Sequence, residues 1–103
     1  MGRQRRRRFD PLRVWAAKTD GVLARLARRL AQGAPPEEIA SIRREYNAAH
    51  AGQWAEIVYR IGEGVPPAAI AERAGVEPAD VERLAEAMRR AKLGLPPELP
   101  FRP

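Results

Sequence analysis

Arginine is the side chain best placed to do chemistry in this 103-residue chain, and the chemistry is ionic recognition of phosphate. Arg3 and the run Arg5-Arg6-Arg7-Arg8 fall within the first nine residues. Four adjacent like charges repel one another and bury nothing, so residues 1–9 are expected to form a flexible basic arm. Such an arm neutralises phosphates or enters a narrow minor groove, where Arg meets a concentrated negative potential. The plainer alternative is a solvated tail that attaches loosely to acidic surfaces. Groups for bond-making chemistry are scarce by comparison. There is no Cys, and the single His50 stands beside a helix-breaking Gly52, as a surface or capping residue. No Ser-centred nucleophile motif or phosphate-cradling glycine loop occurs. Glu37-Glu38, and Asp80 with Glu82, sit at helix starts, where carboxylates favour the positive end of the helix dipole. The chain is therefore not expected to be an enzyme, and no cofactor or metal is implied.

Charge by position sharpens this. The net charge of +6 divides into ten Lys/Arg against two acids in residues 1–33, three against five in 34–64, and six against six in 65–103. The whole basic excess is N-terminal. With 45% hydrophobic residues, six aromatics, and Ala, Leu, Arg and Glu dominating, the composition favours helix and one modest core. No apolar run approaches membrane-spanning length, and the Arg-rich start is not followed by an apolar signal core. Without Cys there is no disulfide framework. A cytoplasmic, nucleoid-associated location is expected, with no membrane partner.

The elements that must carry these residues follow from punctuation and periodicity. Asp10-Pro11 opens a short helix, Asp as N-cap and Pro at the first helical position, with Leu12, Trp15 and Ala16 on its apolar side. Trp15 is read as a core anchor, not a base-stacking platform. Thr19-Asp20-Gly21 is expected to interrupt this helix and cap the next, Val22 to Gln32, whose stripe is Val22, Leu23, Leu26, Ala27 and Leu30. Arg25, Arg28 and Arg29 flank that stripe and extend the basic surface of the arm. Gly33-Ala34-Pro35-Pro36 ends it. The next helix runs to about Ala49 with Ile39, Ile42, Tyr46 and Ala49 inward. A break at His50-Ala51-Gly52 precedes a helix from Gln53 to Glu63 that packs through Trp54, Ile57, Val58 and Ile61. Gly64-Val65-Pro66-Pro67 repeats the earlier junction: residues 26–40 and 57–71 match at six of fifteen positions, and Gly94-Leu95-Pro96-Pro97 is a fainter third copy. Duplication of a helix–GxPP–helix unit would explain this, as would reuse of an efficient junction; two copies are too few for a solenoid.

Pro66 to Arg90 reads as two helices joined by a tight turn. Ile70, Ala71 and Ala74 share one face of the first, and Val81, Leu84 and Met88 share one face of the second. Gly75 stands between them, where positive φ is needed, Val76 drops between the helices, and Glu77-Pro78 restarts the chain. A small residue (Ala71), Gly four later, and aliphatics ten and thirteen later (Val81, Leu84) together resemble the helix-turn-helix unit of bacterial DNA-binding proteins. The resemblance covers about a quarter of the chain. It implies a second helix whose first residues face the major groove. Those positions here are Glu77, Pro78, Ala79, Glu82 and Arg83. Arg83 is the candidate for guanine and Ala79 for a thymine methyl, while Arg73, Arg89, Arg90 and Lys92 reach phosphates. Two acids in this set depart from a strongly basic reading surface, since each carboxylate is repelled by phosphate.

The expected architecture is all-α: about five helices in a single domain over 10–93, with a trihelical helix-turn-helix core over 53–92, a basic N-terminal arm and an extended Pro-rich tail over 94–103. The tail has four prolines in eleven residues from Leu93 and cannot be helical. Leu95, Leu99 and Phe101 fit it to a groove of its own domain or of a protein partner. Two functional readings follow. One is a small protein that binds double-stranded DNA, in transcriptional regulation or in a phage or mobile-element accessory role; a homodimer suits it, because two-fold symmetry doubles a short site. The other is a helical protein–protein adaptor whose arm holds nucleic acid non-specifically.

Overall fold

Pro opens every helix, and a left-handed glycine follows each of the four. In a computed structural model, which describes residues 9–96, the order is α1 (Pro11–Ala31), α2 (Pro36–Gly62), α3 (Pro67–Ala74) and α4 (Pro78–Lys92). The described residues contain no strand. No helix among them is long and apolar enough to cross a membrane. The arm residues Arg3, Arg5, Arg6, Arg7 and Arg8, and the tail residues Leu99 and Phe101, lie outside the described residues.

The repeated junctions share one hydrogen-bond pattern. At Gly33, Gly64 and Gly94, all with positive φ, the residue after the glycine donates its amide to the carbonyl five before it: Ala34 to Arg29, Val65 to Arg60 and Leu95 to Arg90. This satisfies carbonyls that a helix end leaves open, and only glycine adopts that φ without steric cost. Each of these acceptors is an arginine, so the repeat continues through the residue four before each glycine.

Two expected breaks are absent, so five helices become four. α1 runs unbroken through Thr19-Asp20-Gly21. Thr19 is buried, and its hydroxyl donates to the Trp15 carbonyl at 2.8 Å, a bond made within a helix instead of a cap. α2 runs unbroken through His50-Ala51-Gly52. Here glycine supplies space: a Cβ on Gly52 would stand 2.5–2.8 Å from three carbons of the Trp15 ring. The missing methyl lets the indole of α1 lie against the α2 backbone. Trp15 is thus a packing residue, as its place on the apolar side of its helix suggested.

α1 and α2 form an antiparallel hairpin, shown by the pairing of Trp15 with Gly52, Arg25 with Glu45, and Arg29 with Glu38. α3 and α4 pack across its open end. The main core lies there: Leu12, Ile57, Ile70, Ala71, Ala74 and Val81, flanked by Trp54, Ile61, Val65, Val76 and Leu84. Near the α1–α2 junction a smaller cluster joins Val22, Leu26 and Ile42, with Ile39 and Tyr46 beside it. Leu23, Leu30 and Val58, expected to face inward, are exposed. Around Leu23 and Leu30 two helices cover only the seam between them and leave the margin of the stripe in solvent, while Val58 lies one position round α2 from the Ile57 face that enters the main core.

Candidate nucleic-acid interface

The turn that would present a reading helix is built by small residues and one glycine. Ala71 and Ala74 are buried on α3, and Val81 is fully buried on α4, so the two backbones approach closely. Gly75 takes φ 69° and ψ 34°, and the Val76 amide donates to the Ala71 carbonyl at 3.1 Å. Gln53 of α2 closes the end of α3, donating its amide to the Ala74 carbonyl at 2.9 Å in a buried hydrogen bond. A buried carbonyl left without such a donor would cost about 1–3 kcal/mol, so Gln53 fixes where α3 stops.

Apart from the buried Val81, the start of α4 lies in solvent. Glu77, Pro78, Ala79, Asp80, Glu82 and Arg83 are all exposed. Arg83 is 70% exposed and pairs with Asp80 one turn back. This presents a predominantly acidic front with one guanidinium.

The other arginines of this region already have partners. Arg73 grips Asp10 with two parallel bonds, Nε to Oδ2 at 3.0 Å and Nη2 to Oδ1 at 2.9 Å. Asp10 also caps α1, accepting from the Leu12 amide at 3.2 Å. The Arg73 guanidinium holds the Asp10 carboxyl below its ordinary range, against an opposing push from burial. Arg73 thus ties α3 to the start of α1. Arg89 makes the same fork with Glu86, at 3.0 and 2.6 Å, and pulls that carboxyl downward. Arg90 donates to the Pro96 carbonyl at 2.7 Å and folds the chain after α4 back upon the helix. On the hairpin, Arg29 forks onto Glu38 across the first junction, and Arg25 pairs with Glu45. Arg28, Arg43 and Arg44 make no salt bridge within the described residues.

Sequence reasoning missed the partners, and one of them had no local signal: Asp10 and Arg73 are 63 positions apart. It also missed a cleft of about 430 Å³ where the middle of the hairpin meets the α3–α4 turn. Its wall includes Asp20 of α1, Tyr46, His50 and Trp54 of α2, and Glu77 and Asp80 at the start of α4. The three rings stand at i, i+4 and i+8, with centroids 5.6 and 6.4 Å apart in sequence. That spacing was readable, but a break assigned at His50 hid it. No group of three or more His, Asp or Glu among the described residues could hold a metal ion.

Residues 9–96 carry thirteen Lys/Arg against twelve Asp/Glu, while residues 1–8 carry five arginines and no acid. The folded body is close to neutral. No protein-family model, curated protein or solved structure matches this chain.

Proposed function

We propose that this is a small protein that binds double-stranded DNA, in which the arginine arm supplies the affinity and α3–Gly75–α4 acts as a helix-turn-helix unit. The observation that carries the reading is the close packing of α3 on α4 around Gly75, where Val81 is buried and the rest of the start of α4 is left in solvent. That is the part of a reading helix which meets base edges. Arm residues Arg3 and Arg5 to Arg8 contact phosphates or the minor groove. Arg83 exchanges Asp80 for a guanine edge, with Ala79 beside it, and Arg89 and Arg90 stand at the far end of α4 towards the backbone. Arg73, forked onto Asp10, contributes by holding α3 in place. Regulation of transcription, or service to a phage or mobile element, is the role such a unit fills, and a homodimer would double its short site.

A second reading, a protein–protein adaptor with a non-specific arm, is favoured by one observation: the front of α4 carries Glu77, Asp80 and Glu82 against a single Arg83. Salt-dependent DNA titration of the full chain and of a form lacking residues 1–9 separates the two. Under the DNA reading both forms prefer one sequence, and truncation lowers mainly affinity and the salt slope. Arg83→Ala then weakens specific over non-specific binding by about 1–3 kcal/mol, the value of one bidentate base contact. If the truncated form binds no DNA, or Arg83→Ala changes nothing, the adaptor reading replaces it.

A further inference from the structure

We propose that the cleft between the hairpin and the α3–α4 turn is a guanidinium-binding site, and that its occupant is the arginine arm of the same chain. The cleft combines the two features that recognise a guanidinium. Three carboxylates lie around it, Asp20 and Glu77 together with Asp80, which already pairs with Arg83, and a run of rings, Tyr46, His50 and Trp54, lines its α2 side. Carboxylates accept the planar fork of N–H donors, while aromatic faces attract the cation and stack on its plane. Asp20 and Glu77 have no salt-bridge partner within the described residues, so no lysine or arginine of the folded body neutralises them.

The choice of occupant rests on charge and reach. The body holds nearly balanced charge, and the five arginines that make up most of the chain's excess lie in residues 1–8. α1 begins at Pro11 and carries Asp20 in its middle. The helical rise places Asp20 about 15 Å along the axis from Asp10. Eight residues fully extended span about 26 Å, so a segment that doubles back along α1 reaches the cleft with its distal arginines. Tethering also makes the encounter intramolecular, equivalent to a millimolar local concentration for a short flexible linker. Single exposed ion pairs are weak, and the site works by gathering several carboxylates and rings around one or two guanidinium groups.

The test needs no DNA, so it stands or falls apart from the DNA reading. The chain has no Cys, and Gly2→Cys therefore accepts a single nitroxide spin label in the full-length protein. At low salt, about 20 mM, the label should broaden the amide signals of Asp20, His50 and Glu77 more than those of the α1–α2 junction. Raising salt to about 500 mM shortens the screening length to a few ångströms and should restore them. Asp20→Asn with Glu77→Gln and Asp80→Asn in the labelled chain should remove most of the broadening. So should Arg3→Gln combined with Arg5→Gln, Arg6→Gln, Arg7→Gln and Arg8→Gln. Tenfold dilution of labelled chain with unlabelled chain should change nothing. Broadening that is absent, or that persists at high salt and in both sets of variants, overturns the proposal. Broadening that fades on dilution overturns it too, because the arm would then come from a neighbouring molecule.

Discussion

The two ends of the α1–α2 hairpin are built from the same helices and held in different ways. At the α3–α4 end, four elements converge, and Leu12, Ile57, Ile70, Ala74 and Val81 are removed from solvent entirely. At the junction end only two helices meet, and Val22, Leu26 and Ile42 keep 5–9% of their surface. Salt bridges across the seam, Arg25 with Glu45 and Arg29 with Glu38, supplement that thinner cluster. Burial of apolar area drives association in proportion to area, whereas exposed ion pairs contribute little and weaken in salt. The contrast assigns rigidity to the end that carries the α3–α4 turn and leaves the junction end responsive to ionic strength.

The largest expected effect breaks that contrast directly. Ile70→Ala should cost about 4 kcal/mol by urea denaturation, because the site is enclosed on all sides and cannot collapse. Leu26→Ala, in the open seam, should cost about 2 kcal/mol, at the low end of such substitutions. Equal losses would show that the two ends are enclosed alike.

Next in size is the link from α3 back to the start of α1. Asp10→Asn keeps the helix cap but ends the fork with Arg73, and should cost roughly 1.5 kcal/mol at neutral pH, less than a fully buried pair because both groups are partly solvated. The sign with pH is fixed by the direction of the shift. The folded carboxyl titrates below its ordinary value of 3.8, so the stabilisation is complete above that value and is lost as pH falls from there through the lowered folded titration. Stability of the natural chain and of Asp10→Asn should converge once pH falls below that lowered titration; parallel curves would remove Arg73 from this role.

The smallest effects come from one substitution made at two helical glycines. Gly52→Ala drives a methyl into the Trp15 ring, and overpacking should outweigh the gain in helix propensity by about 1 kcal/mol. Gly21→Ala meets nothing within 4 Å and should stabilise by about 0.5–1 kcal/mol. The same sign at both sites would mean that Gly52 is not holding space for the indole.

These glycines also mark where the sequence was legible. Gly75, and the Gly-x-Pro-Pro junctions, announce themselves through neighbours: Pro cannot continue a helix, and a positive φ is needed before it can restart. Gly21 and Gly52 lack a following Pro, and in their place the hairpin kept its helical bonds. The inward faces of α3 and α4 were readable because packing on several sides consumes a whole stripe. Leu23 and Leu30 were not, because whether a stripe is covered depends on how many helices come to that point, and Val58 lies one position round α2 from the buried Ile57. Of the candidate site, Ala79 and Arg83 stand in solvent in the first two turns of α4, while the capture of Arg73 by Asp10 is a property of the tertiary fold alone.

A two-helix seam lined by Val22, Leu26, Ile39 and Ile42 has little to stop one helix from sliding past the other by a turn, since aliphatic side chains at helical spacing re-engage after each step of about 5.4 Å. Trp15 against Gly52 removes that freedom. α2 has glycine at only two positions, and the other, Gly62, lies at its final residue, so the indole has one notch along the helix. The axial register of the hairpin is thereby set by a single key, and with it the placement of Asp20 opposite the α3–α4 turn.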